Sequence, residues 1–230
     1  MNDQVIWDFL MDKIGNPYGV AGLMGNLYIE SKLDPGLLQS SYARKLGMTK
    51  EEYTKAVNEG AYTNFVYDGA GYGLAQWTYW SRKEGLFNYV KSKGASIDNL
   101  QAQLEYLWQE IQTYKAVMTI LKQTKSVSQA SNIVTERYEK PADQSYEAKL
   151  RRAQYGEKYY QLYAKPLGKR VYVNTDKVNI RQGNSKSYAR LRVAALGDKY
   201  RWVATAENGW FAIDLGDKVG WISGEFSNIE

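Results

Sequence analysis

Gly25-Asn26-Leu27-Tyr28-Ile29-Glu30-Ser31 closes a run of small and apolar residues on a carboxylate, and the reading of that run decides the fold of the N-terminal part of the chain. From Pro17 to Ile29 it predicts a buried helix. Pro17 stands where a first helical turn tolerates it, and apolar residues recur at Val20, Leu23, Met24, Leu27 and Tyr28. Gly19, Gly22 and Gly25 run against helix propensity, each costing about 1 kcal/mol relative to Ala, and the usual compensation is close approach of another helix backbone. A carboxylate at the end of such a helix sits at the rim of the core. Burial there favours the neutral form, which suits a group that carries a proton to a leaving oxygen, so Glu30 is the candidate catalytic acid. Most glutamates at helix ends are simply solvated, and Glu30 therefore needs support from a second stretch.

The composition narrows the chemistry. A chain of 230 residues, 44% apolar and 24% charged, fits a globular protein with one large or two modest cores, and two are expected. No segment approaches the apolar length of a membrane span, so no membrane insertion is expected. With Asp3 and Asp8 early and no basic region leading into an apolar run, no secretory signal peptide is expected either. With no Cys and no His, the chain has no thiol nucleophile, no Ser-His pair and no His-ligated zinc. Carboxylates remain as the strong acid and base candidates, which favours glycosidase-type chemistry without a metal or cofactor. The 20 Tyr and 7 Trp suit a groove that stacks on sugar faces, although rings more often serve packing. A net charge of +5 favours an anionic partner such as a bacterial wall and falls short of the concentrated patch of a nucleic-acid binder.

Periodicity predicts an amphipathic helix over Asp3 to Ile14, with Val5, Ile6, Phe9, Leu10 and Ile14 on one side and Gly15-Asn16-Pro17 as its stop. The stretch after Leu33-Asp34-Pro35-Gly36 reads as irregular until Thr49-Lys50-Glu51-Glu52, a capping box opening a short helix to about Asn58. Asn58 to Gly73 reads as a loop or small hairpin. Further helices are expected over Ser81 to Lys91, Ser96 to Gln112, Ser126 to the region of Pro141, and Ser145 to about Ala164. At Lys165-Pro166-Leu167-Gly168 the period changes to two. Short runs at Val171–Val173, Val178–Arg181, Leu191–Val193, Tyr200–Val203, Trp210–Leu215 and Val219–Ile222, parted by Gly and Asn turns, predict a small all-β barrel. On the strand from Trp210, alternation puts Phe211, Ile213 and Leu215 on one face and Trp210, Ala212 and Asp214 on the other, without saying which is core. The expected domains are residues 1–165 and 166–230.

A second stretch supports Glu30: Asp68-Gly69-Ala70-Gly71-Tyr72-Gly73-Leu74-Ala75-Gln76-Trp77. Its glycines would bring backbone close to a ligand, Tyr72 and Trp77 could stack on sugar rings, and Gln76 could fix a hydroxyl or amide. The pairing of Gly-Asn-Leu-x-x-Glu-Ser with Gly-x-Gly-Leu-Ala-Gln-Trp, in that order, resembles the phage tail lysozyme family over about residues 5 to 160. The resemblance implies a lysozyme-like, mostly helical α+β domain that cleaves the glycan strand of peptidoglycan, with Glu30 at the catalytic acid's position. Asp68 resembles the water-positioning carboxylate of goose-type lysozymes only approximately, because the spacing differs, and Asp34 and Glu59 are rivals for that role. If Glu30 and Asp68 act as an inverting pair, their carboxyls should stand about 6.5 to 9.5 Å apart. If Asp68 lies outside the cleft, a lytic transglycosylase or substrate-assisted reading rises instead.

The later strands, through Val178-Asn179-Ile180-Arg181, Asn208-Gly209-Trp210 and Val219-Gly220-Trp221-Ile222, resemble a bacterial SH3-like wall-binding domain over about residues 168 to 228. Together the two resemblances imply a phage endolysin of the muramidase type, with a glucosaminidase or lytic transglycosylase as alternatives on the same glycan. A non-catalytic tail or wall-binding structural protein is the alternative of another class. The expected substrate-binding residues are Tyr28, Tyr72, Gln76 and Trp77, and the expected wall-binding aromatics are Tyr188 and Trp210. The expected partner is bacterial peptidoglycan, with no nucleic acid, reached from the host cytoplasm at lysis.

Overall fold

Pro17 opens and Ser31 closes α2 (Pro17–Ser31), the helix around which the N-terminal part of the protein is assembled. The structure is a computed structural model that describes residues 2–164, 169–215 and 218–229. The chain divides into two compact units, residues 1–164 and 165–230. The linker Lys165-Pro166-Leu167-Gly168 and the Gly216-Asp217 turn lie outside the described residues.

In α2 the side-chain oxygen of Asn16 accepts the Tyr18 N–H as an N-cap, while its amide donates to the carbonyls of Leu121 and Thr124 at 2.8 and 2.9 Å. One residue thus starts the helix and ties it to a distant segment. The three glycines are what let neighbours close in. A Cβ on Gly19 would lie 1.9 Å from the Leu121 carbonyl oxygen, one on Gly22 2.6 Å from the Ser131 nitrogen, and one on Gly25 2.3 Å from the Arg152 carbonyl oxygen. Those contacts belong to α7 (Lys115–Gln123), α8 (Val127–Val134) and α9 (Tyr146–Tyr159). Backbone therefore meets backbone on three sides, and the expected reason for the glycines is observed. Leu23, Met24 and Leu27 are wholly buried, each worth about 1.5–3 kcal/mol of apolar transfer.

The remaining helices frame this one. α1 (Asn2–Ile14) buries Ile6, Trp7, Leu10 and Ile14 and leaves Val5 exposed, so the stripe sits one position round from the expected one. α3 (Ser40–Leu46) forms where irregular chain was expected; it is 7 residues long and only half-buries Tyr42, Ala43 and Leu46 against the core, too short a run to show a helical period. α4 (Lys50–Asn58) begins on the expected capping box, with both the Thr49 and Glu52 bonds made. α5 (Trp80–Ser92) precedes α6 (Leu100–Ile111), which starts four residues later than the pattern predicts because Asn99 caps it through the Ala102 N–H. α7 was not foreseen: its buried residues are only Val117 and Leu121. α8 runs into a π-helical turn, Thr135–Glu139, closed by Lys140 at φ +48°. α9 likewise continues as a π turn, Tyr160–Ala164.

The second unit is an antiparallel sheet in the order β3-β2-β6-β5-β4-β1-β7. Its strands are β1 (Arg170–Val173), β2 (Val178–Arg181), β3 (Arg190–Ala194), β4 (Lys199–Thr205), β5 (Trp210–Asp214), β6 (Val219–Ser223) and β7 (Ser227–Ile229). The core holds Val171, Val173, Val178, Ile180, Ala194, Ile213 and Ile222. Phe211 and Leu215 pack against it, which decides the alternation left open by the sequence. β7, only Ser-Asn-Ile, is too short to show a period. The helical first unit and all-β second unit are the fold classes the sequence predicts.

Candidate active site

Glu30 lies on the last turn of α2, where Lys32 and Leu33 turn the chain away through positive φ of 57° and 62°. Next to it, the Ser31 hydroxyl donates to the Leu74 carbonyl at 2.9 Å and pins the end of α2 to the glycine-rich hairpin. In that hairpin Tyr72 and Trp77 exchange backbone bonds at 3.2 and 3.0 Å. Gly73 is required there, because its φ is +75° and a Cβ would meet the Gln103 side chain at 2.6 Å. Buried Gln103 accepts the Leu74 N–H at 2.9 Å and donates to the Pro35 and Ile97 carbonyls at 2.7 and 2.6 Å. Helix end and hairpin are thereby fixed relative to each other.

Between them lies a cleft of about 420 Å³, lined by Glu30, Gln76, Tyr79, Arg82 and Glu139, with Gln39 and Thr78 on its walls. The Glu30 carboxylate is 18% exposed and reaches this opening. Arg152 of α9 stands behind it, with Nη2 at 2.7 Å from Oε1 but off the axis of a hydrogen bond, so that this oxygen is enclosed without an aligned donor. Arg152 in turn donates to Asn26 Oδ1 at 3.3 Å, and the same oxygen accepts the Thr135 hydroxyl at 2.8 Å. The Asn26 amide donates to Gly22 and Ser131 of α2 and α8. A buried polar network spanning three helices thus holds the guanidinium on Glu30.

The second cleft carboxylate is Glu139, which sequence reading missed. It ends the π turn, and its Oε1 is enclosed with no hydrogen-bond partner. Burial first, then the negative charge of Glu30, push its carboxyl up to about 8, against the opposing pull of Arg82 and Arg152. Its neighbour Tyr138 donates to Glu110 at 2.5 Å, and Glu110 also receives Trp77 Nε1 at 3.0 Å and Arg82 at 2.6 and 2.8 Å. Burial would raise the Glu110 carboxyl, but these donors hold it below the usual range. The π turn is anchored there, and the extra residue per turn re-aims Glu139 into the cleft. In the sequence Glu139 stood unmarked before Lys140-Pro141, and a π turn has no signature in hydrophobic period.

The expected second carboxylate is elsewhere. Asp68 is 3% exposed and paired with fully buried Lys83 at 2.5 Å, and it accepts Tyr53, Tyr62 and the Ala70 N–H at 2.5, 3.2 and 2.8 Å. Both its oxygens are engaged, and it does not line the cleft. The rivals are also outside: Asp34 pairs with Lys50 at 2.5 Å, and Glu59 lies 3.9 Å from Lys55 on α4. Among the expected substrate contacts, Gln76 does line the cleft, held at φ +43° by donation to the Leu37 and Gly73 carbonyls. Tyr72 and Trp77 are fully buried and present no face to a sugar; the Tyr72 hydroxyl bonds Thr54 at 2.6 Å. Tyr28 packs against Tyr155 with ring centroids 4.2 Å apart and carries Lys32 over its ring. The exposed aromatics here are instead Tyr79 on the cleft itself, Trp80 beside it, and Tyr67 stacked on Trp80 at 6.2 Å. In irregular chain no period tells which ring turns outward.

In the β unit, Trp210 lines a groove of about 390 Å³ together with Phe226, Asn179, Lys177 and Lys186. Tyr188 is 48% exposed but packs over Gly183, where a Cβ would sit 2.6 Å from its ring, and it does not line that groove. Among the described residues no cluster of three or more His, Cys, Asp or Glu is arranged to hold a metal. No described helix is long and apolar enough to cross a membrane.

A carboxylate presented at the end of a buried helix, facing a glycine-rich hairpin, defines a lysozyme-like domain, here followed by an SH3-like one. The phage tail lysozyme family matches residues 1–163, and the chain belongs to that family. The bacterial SH3 domain family matches residues 176–228, leaving β1 outside the match. The chain is 23% identical over 205 residues to morphogenesis protein 1 of Bacillus phage B103, covering 82% of this chain and 47% of that protein. It therefore spans about half the length of that curated relative.

Proposed function

We propose that this protein is a phage-encoded peptidoglycan hydrolase that cleaves the β-1,4 glycan strand as a muramidase, with Glu30 as the group that delivers a proton to the leaving glycosidic oxygen. The observation that carries the reading is the position of Glu30 at the open end of α2, in a cleft it shares with Gln76, Arg82, Tyr79 and Glu139. Family membership supports it. The position of Gln76 on the cleft wall supports a contact with an acetamido or hydroxyl group, and the exposed ring of Tyr79 supports one with a sugar face. The SH3-like unit would hold the enzyme to wall peptides or attached polymers through the Trp210 groove.

Engagement of Asp68 with Lys83 favours one rival mechanism, because an inverting muramidase needs a free base to hold water and a lytic transglycosylase uses the sugar's own 6-hydroxyl. Mass spectrometry of digested wall separates them: reducing muramic acid ends mark a muramidase, reducing glucosamine ends a glucosaminidase, and anhydro-muramic ends a transglycosylase. Glu30→Gln is expected to lose about 100-fold or more of the activity. Full lysis by that variant would remove Glu30 from the mechanism. The name of the B103 relative supports a second reading, a protein of phage assembly that meets the wall as part of a particle. Wild-type protein that binds walls and cuts no glycan would favour it.

A further inference from the structure

The cleft contains an imbalance. Protonating a glycosidic oxygen requires a neutral carboxyl group, yet Glu30 faces the Arg152 guanidinium at 2.7 Å, the arrangement of a conjugate base. A second carboxyl group lines the same cleft, brought there by a π turn that breaks the regular helix between α8 and Lys140. Each of the two has an Oε1 that is enclosed and lacks an aligned hydrogen-bond donor. Two carboxyls that line one cleft, each with an enclosed oxygen lacking an aligned donor, cannot both stay charged cheaply.

Resting on the glycosidase reading above, we propose that Glu139 is the second carboxyl group of the active site and shares one proton with Glu30, so that the pair is the acid of the reaction. The charged groups whose fields act on Glu139 are Glu30 from α2, Arg82 from α5, Arg152 from α9 and Glu110 from α6, and of these Glu30 and Arg82 line the same cleft. Glu110 is already occupied by Arg82, Trp77 and Tyr138, which leaves Glu30 as the carboxylate without an aligned donor. Burial together with the negative charge of Glu30 pushes the Glu139 carboxyl up to about 8, so Glu139 carries a proton at neutral pH. In the reaction the bond from the anomeric carbon to the bridging oxygen breaks, and that oxygen takes the pair's proton. The incoming hydroxyl, from water or from the sugar's 6-position, bonds to the anomeric carbon and returns its proton to the pair. The pair ends as it began, and no other reactant is needed.

Two measurements on the full chain test this. In wild-type protein with carbon-13-labelled glutamate, one carboxyl should titrate near pH 8, and in Glu30→Gln its midpoint should fall by more than about one pH unit, since the neighbouring charge is gone. A Glu139 that titrates in the ordinary carboxylate range of the wild type overturns the proposal. That result is independent of whether any glycan is cut, so failure of the glycosidase reading is seen separately, as wild-type protein that releases no saccharide. In active protein, Glu139→Gln should lower kcat by about 100-fold with little change in KM, and should move the alkaline limb of the pH profile to lower pH. Glu139→Asp should restore part of the rate. A Glu139→Gln profile that is merely scaled down, with its limb unmoved and no rescue by Asp, would mean that Glu139 only supports the fold.

Discussion

Asp68 and Lys83 carry the sharpest choice between structure and catalysis at the scale of single residues. Lys83 is buried to 0% exposure, with its ammonium 4.4 Å from the centre of the Phe65 ring, and burial pulls it below the usual lysine range against the opposing charge of Asp68. Replacing Lys83 by Met leaves the Asp68 charge buried and unpaired, so the expected loss is about 3–5 kcal/mol by thermal unfolding. Asp68→Asn should lose activity only as far as it loses stability; a variant with unchanged Tm and absent kcat would return Asp68 to the role of holding water. Glu139 acts in the opposite sense. Its folded pKa, about 8, lies above the unfolded value, so the native state binds more protons and stability falls as pH rises between the two. Glu139→Gln removes that slope, and its Tm advantage over the wild type is expected to grow from pH 5 to pH 8. A group that destabilises its own fold at the working pH is what a site retains for chemistry.

Among the elements, α2 sets two principles against each other. Gly25→Ala would gain about 1 kcal/mol of helix propensity. Its Cβ, however, would lie 2.3 Å from the Arg152 carbonyl oxygen and 2.5 Å from the Gly156 nitrogen, and backbone atoms of a packed helix cannot step aside as a side chain can. Packing wins, and the expected net cost is about 1–3 kcal/mol. Because Arg152 rides on the displaced helix, the variant should also lose activity beyond its loss of stability, measured on the folded fraction. The same alanine at Gly94, where nothing lies within 4 Å but φ is +61°, would meet backbone strain alone and leave activity untouched.

For the whole molecule, the question is whether the two units depend on each other. The N-terminal core is assembled from residues between Ile6 and Ala164, and the β core from residues between Val171 and Ile229, so each unit has a core of its own. A chain ending at Ala164 is therefore expected to fold and to cleave purified glycan strands at close to the full rate. Its binding to intact walls should drop by about 100-fold or more, as a second attachment point is lost. Equal sedimentation of the full and shortened chains with walls would show that the β unit contributes no attachment.

The sequence by itself determined the local parts of this protein. Pro17 and three glycines marked α2 as a buried helix, Thr49 and Glu52 announced α4, the change of period near Lys165 separated helical from β structure, and the paired motifs singled out Glu30 and Gln76, which line one cleft. Each of these signals is short in range: a cap, a period or a spacing acts over a few residues and survives in one dimension. Only the tertiary structure decided which second carboxyl group lines the cleft with Glu30. Asp68 stood in the conspicuous motif, but Lys83 and two tyrosines take up both its oxygens, while Glu139 is swung into the cleft by a π turn that depends on Tyr138 meeting Glu110 across the fold. The aromatic rings followed the same rule, with Tyr72 and Trp77 sealed inside and Tyr79 turned out. Burial and charge pairing are sums over neighbours distant in sequence, and no reading along the chain can take those sums before it folds.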